Sequence, residues 1–110
     1  MLSTLIGLCI GDAAGAPLEF RHPLQITKTA LANALKLRGG GPFETAPGQI
    51  TDDGELALAL ARSLTGDDYD ADTVRAAYHA WFMSNPFDIG HTCRSAFQSP
   101  VFSPDDLNAD

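Results

Sequence analysis

The chain has 110 residues, enough for one domain with a modest core, and its 45% apolar and 19% charged residues are those of a globular rather than a disordered protein. Its formal charge of −7, with no cluster of Lys or Arg, excludes a binder of the nucleic-acid phosphate backbone and is compatible with a cation site. Leu2 to Ile10 is apolar but short, has no basic flank and runs into Asp12, so neither a signal peptide nor a membrane span is expected, and the chain reads as cytoplasmic.

Taken in order, Leu2, Leu5, Ile6, Cys9, Ile10 and Ala13 follow the spacing of one helix face. Gly7 and Gly11 interrupt it, and close helix packing is the expected reason. Pro17 ends this helix near Ala14-Gly15. Leu24 to Leu37 predicts a second, weaker helix, with Lys28, Lys36 and Arg38 toward its C-terminal part and Gly39-Gly40-Gly41-Pro42 as its stop. A loop with a turn at Pro47-Gly48 leads to Ile50. A strong third helix begins at Thr51 to Asp53, carries Leu56, Ala57, Leu60, Ala61 and Leu64 on one face, and is stopped by Gly66-Asp67-Asp68. A fourth is capped by Asp70 or Asp72, buries Val74, Ala77, Tyr78, Trp81 and Phe82, and ends at Ser84-Asn85-Pro86. A last helix presents Ile89, Cys93, Ala96 and Phe97; beyond Ser99 the chain turns polar, like a loop before a further helix. No period-two alternation occurs, so the fold class is all-α. Cys9 and Cys93 lie in apolar helical patterns and are expected to be buried thiols in a reducing compartment.

Three junctions between loop and helix carry the chemistry. Thr51-Asp52-Asp53 suits an N-cap, with Asp52 and Glu55 at capping-box spacing. Capping is the stronger reading of the spacing, and the same residues also suit part of a Mg²⁺ or Ca²⁺ site, in which a cation relieves the repulsion between adjacent carboxylates. Gly11 to Glu19 is either a Gly-terminated helix with two exposed acids or the rim of a cleft in which Asp12 and Glu19 face the Asp52-Asp53 mouth. In Asp88-Ile89-Gly90-His91-Thr92, Asp88 or Thr92 caps the last helix, or the free N–H groups with Gly90 receive a phosphate. His22 and His79 read as surface or packing residues. No zinc spacing, P-loop or Ser-His-Asp order is present.

These junctions, in this order, resemble the ADP-ribosylglycohydrolase family. Its first motif is similar to Gly11-Asp12-Ala13-Ala14-Gly15-Ala16-Pro17-Leu18-Glu19, its second to the Gly/Pro-rich loop, Thr51-Asp52-Asp53 and apolar helix from Gly41 to Leu64, and its third to Asn85 through Thr92. The resemblance covers residues 5 to 97. It implies an all-α helical bundle, cut short here, in which residues 1–110 are the N-terminal part of a single domain. It implies two Mg²⁺ (or Mn²⁺) ions, with Thr51, Asp52 and Asp53 as metal ligands, Glu19 and Asp88 as catalytic carboxylates, and Gly90, His91 and Thr92 against the ADP-ribose. The implied substrate is an ADP-ribosylated protein or an ADP-ribose-type small molecule, cleaved at the glycosidic bond; the competing expectation is a non-catalytic binding or structural member of the same fold. Two departures stand out. Gly54 replaces the Thr that usually follows the two aspartates, and the family's C-terminal Asp-x-Asp-Thr has no counterpart, since Asp105-Asp106 and Asp110 stand in the wrong context. A missing C-terminal segment or a second chain is therefore expected to complete the metal site.

Overall fold

The computed structural model describes residues 2–64 and 69–99. Among them the chain is all-α: α1 (Leu2–Gly15), α2 (Lys28–Leu35), α3 (Asp52–Ser63), α4 (Ala71–Met83) and α5 (His91–Phe97), with short 3₁₀ turns at Ala16–Leu18 and Pro23–Gln25. The one β-type pairing among the described residues is an isolated bridge between Gly40 and Thr45. The expected helix stop at Gly66-Asp67-Asp68 and the polar tail after Ser99 lie outside the described residues, Ser99 itself excepted. No described helix is long and apolar enough to cross a membrane. The chain divides into two compact units, Met1–Gly54 and Glu55–Asp110.

The first unit is closed by small residues. Ala13, Ala16 and Ala34 are all but inaccessible, which lets α1, the turn after it and α2 approach closely. By contrast Leu2, Ile6 and Ile10, four residues apart on α1, each leave about half or more of their surface exposed. Gly7 and Gly11 do not mediate the close packing expected of them: a Cβ at either, or at Gly15, meets open space.

The second helix differs from its expected form at both ends. Pro23, with its fixed φ, opens a separate 3₁₀ turn whose Leu24 N–H donates to His22 Nδ1 at 3.1 Å. Thr27, inside the stretch expected to be helix, is instead the cap of α2, accepting from the Ala30 N–H at 3.0 Å. Lys28 thus starts the helix, where its charge opposes the dipole rather than complementing it. At the other end the triple glycine is not the stop. Leu37 (φ 55°) occupies the left-handed position, its N–H bonding Ala34 O and the Arg38 N–H bonding Asn33 O, the paired bonds of a Schellman end. The glycines serve the next turn, where Gly41 at φ 75° lies against the backbone of Pro17.

The second unit is organised by aromatic rings. Phe97 of α5 is buried, 5.6 Å from the Phe82 ring, 5.7 Å from Trp81 and 6.1 Å from Tyr78, all on α4. Asp70 caps α4 as expected, accepting from the Asp72 N–H at 3.0 Å and the Thr73 hydroxyl at 2.9 Å. Gly90, rather than Asp88 or Thr92, takes the N-cap position of α5. Cys9 and Cys93 are half-buried rather than fully buried.

Gly41 joins a left-handed φ to backbone contact, so Gly41→Ala incurs both penalties. It is expected to lower stability by about 2 kcal/mol in urea denaturation, the scale of one strained backbone position.

Candidate functional site

The site begins with a helix that another helix caps. The N–H groups at the start of α3 lack partners within the helix and need an acceptor. Sequence alone assigns that task to Thr51 or Asp52. In the fold the Gly54 N–H donates to Oδ2 of Asp12, 2.8 Å away and 42 residues earlier in the chain. The same oxygen accepts the Thr51 N–H at 2.7 Å, and Asp12 Oδ1 accepts the Thr51 hydroxyl at 2.5 Å. One carboxylate on α1 thus satisfies three donors at the start of α3. Charge-assisted bonds of this kind are about twice as strong as neutral ones.

This joint explains two residues. Thr51 has no exposed surface, and its hydroxyl donates rather than accepting as a cap would. Gly54 leaves room for Asp12: a Cβ there would stand 2.8 Å from Asp12 Oδ2 and 2.8 Å from Ile50 Cβ. The signal missed in the sequence was Asp12 as the distant cap. Its place in a Gly-rich helix end marked it as polar and available, but no spacing rule links it to residue 51.

Next to the joint lies an open cavity of about 440 Å³. Its floor is the Gly7, Gly11 and Gly15 edge of α1, where missing side chains leave the space, and Asp12, Glu19 and Asp53 line it. Burial, then the charges of Asp52 and Asp12, push the Asp53 carboxyl above the usual aspartate range. Asp52 is half-buried, with Oδ1 3.2 Å from the Thr51 hydroxyl oxygen. The first unit therefore brings together Glu19, Thr51, Asp52 and Asp53, with Asp12 added. In the second unit, Asp88 is half-buried, while Gly90, His91 and Thr92 are exposed at the start of α5.

The donor set fits a hard divalent cation. All candidate ligands are oxygens, and the crowding that raises the Asp53 carboxyl is what a cation would relieve. Among the described residues, no three His, Cys, Asp or Glu side chains form a metal-binding group by themselves.

With this geometry in place, comparison with known proteins is informative. The family model described as ADP-ribosylglycohydrolase matches residues 1–108. The chain is 41% identical over 98 residues to the ADP-ribosyl-[dinitrogen reductase] glycohydrolase of Rhodospirillum rubrum, covering 84% of this chain and 32% of that protein. It is 41% identical over 98 residues to a putative ADP-ribosyl glycohydrolase of Acanthamoeba polyphaga mimivirus, covering 86% and 30% of the two chains. It is 36% identical over 104 residues to the ADP-ribosylarginine hydrolase Tri1 of Serratia proteamaculans, covering 86% and 26%. The chain thus spans about a third or less of the length of these curated relatives.

Two outcomes follow from the joint and its charge. Gly54→Ala improves helix propensity by about 1 kcal/mol at an unconstrained site, but here the clash with Asp12 and Ile50 decides the sign, and a net loss of about 1–3 kcal/mol is expected in urea denaturation. Asp53→Asn tests the charge. A carboxyl whose folded pKa is raised favours folding below the unfolded value of 3.8 and loses that contribution as pH rises through the folded value. In chelator at pH 7, Asp53→Asn should therefore melt above the parent chain, with the advantage vanishing once the pH falls below the ordinary aspartate range.

Proposed function

Because the chain belongs to the ADP-ribosylglycohydrolase family, we propose that it forms the N-terminal part of a domain that hydrolyses the glycosidic bond between ADP-ribose and a modified side chain. The names of two relatives, a dinitrogen reductase glycohydrolase and an ADP-ribosylarginine hydrolase, favour an ADP-ribosylated protein, with arginine as the acceptor. The observation that carries this reading is the cavity in which Asp12, Glu19 and Asp53 meet beside the locked Thr51-Asp52 turn. The reading extends to a single domain that includes residues 1–110 and to a cytoplasmic setting.

In this reading Thr51, Asp52 and Asp53 hold one side of a site for two Mg²⁺ or Mn²⁺ ions. When bound, such ions supply positive charge that orients ribose hydroxyls and acidifies water. The chain's own residues do the rest. Asp12 carries no reacting group; it fixes Thr51 and the first turn of α3, so that Asp52 and Asp53 leave a rigid helix start rather than a loop. Glu19 places negative charge in the cavity, where it stabilises an oxocarbenium-like ribose. Asp88 moves the proton, taking it from the attacking water or giving it to the leaving group. Gly90, His91 and Thr92 contact the ADP-ribose, with the small Gly90 allowing close approach to phosphate oxygens. The remaining ligands come from polypeptide that the relatives carry beyond the matched third.

The test is release of ADP-ribose from an arginine-ADP-ribosylated protein by the polypeptide carrying residues 1–110 together with the C-terminal two thirds of the family fold. Hydrolysis should require Mg²⁺, cease with chelator, and fall at least about a hundredfold in Asp88→Asn, the scale of losing an acid–base group. ADP-ribose binding without turnover would instead identify a non-catalytic member of the fold.

A further inference from the structure

Phe20 stands where folding alone would not put an aromatic residue. It takes a left-handed φ of 63°, a costly conformation for a bulky side chain, and still leaves 86% of its surface exposed. Its backbone is fixed on either side: the Glu19 N–H donates to Ala16 O and the Arg21 N–H to Leu18 O, each at 3.3 Å. The ring leans on Phe43, with 6.0 Å between centroids and a tilt of 59°. Phe43 is half-buried and follows Gly41, whose backbone lies against Pro17, so the brace is anchored to the same turn that leads into Phe20. A strained and exposed ring adds little to a core, and strain of this kind gathers where a ligand is clamped.

The residue before Phe20 is Glu19, which lines the carboxylate cavity together with Asp12 and Asp53. An aromatic face next to a carboxylate selects a flat cation. The ring quadrupole draws positive charge to its face, the carboxylate adds a second attraction, and a guanidinium is planar enough to stack. An uncharged acceptor such as a serine hydroxyl gains from neither. We propose that Phe20, braced by Phe43, stacks on the guanidinium of the acceptor arginine and so sets the preference for an arginine-linked substrate over ADP-ribose that is free or joined to an uncharged acceptor. This assignment rests on the glycohydrolase reading above.

The experiment uses the polypeptide carrying residues 1–110 together with the C-terminal two thirds of the family fold, with Asp88→Asn to slow turnover. Calorimetry in Mg²⁺ compares an arginine-ADP-ribosylated peptide with free ADP-ribose. The peptide should bind more tightly, and Phe20→Leu should reduce that advantage about tenfold while leaving the affinity for free ADP-ribose unchanged. Leucine keeps the apolar bulk without the π face, and Leu37 at φ 55° shows that this chain accommodates leucine in the left-handed region. Phe20→Tyr, which keeps the face, should hold the advantage to within about threefold of the Phe20 polypeptide. Circular dichroism checks that each variant keeps its helices. No advantage of the peptide over ADP-ribose, an advantage that survives Phe20→Leu, or an equal loss of affinity for both ligands in Phe20→Leu would each overturn the proposal. The expected loss in Phe20→Leu, joined to no hydrolysis when Asp88 is intact, would count against the functional reading and leave the Phe20 assignment standing.

Discussion

The carboxylate of Asp12 holds α1 to the start of α3 within the first unit. It lies three residues before the end of α1, yet it accepts both polar hydrogens of Thr51 and the N–H of Gly54. Without it, Thr51 would be a buried residue with an unpaired N–H, and the first turn of α3 would lack its acceptor. The acidic pair Asp52-Asp53 would then emerge from a frayed helix end. The joint also concentrates negative charge, because Asp12 stands close enough to Asp53 to help raise its carboxyl. The crowding that raises the Asp53 carboxyl is of the kind that a bound cation would relieve, as the proposed function requires.

The three glycines of α1 belong to the same arrangement. A helix with side chains at positions 7, 11 and 15 would fill the space between itself and Asp53. Without them α1 becomes the floor of a cavity walled by carboxylates. Gly54 plays the complementary part on α3, where any side chain would press on Asp12.

Much of the fold was legible because it follows from local rules. The helical spacing of Leu2 to Ala13 and of Leu56 to Leu64, and the Asp70 cap, predict α1, α3 and the start of α4. The weak apolar pattern from Leu24 to Leu37 misled at both ends: a threonine inside the expected helix is its cap, and a leucine takes the left-handed turn that glycine usually fills. The motifs sufficed to reach the family, and the comparison with known proteins agrees. The Asp12 joint was not legible, because its partners lie about 40 residues apart and neither residue type demands the other. The glycine stripe was legible as a feature but not in its purpose, since open space and close packing select the same residue.

The central claim is that Asp12 organises the start of α3, and amide hydrogen exchange tests it most directly. In the parent chain the Thr51 and Gly54 N–H groups should exchange slowly, protected by bonds to the Asp12 carboxylate. In Asp12→Ala both should lose protection while the amides in the middle of α4 keep theirs. Rapid exchange of both amides in the parent chain, or protection unchanged in Asp12→Ala, would contradict the account.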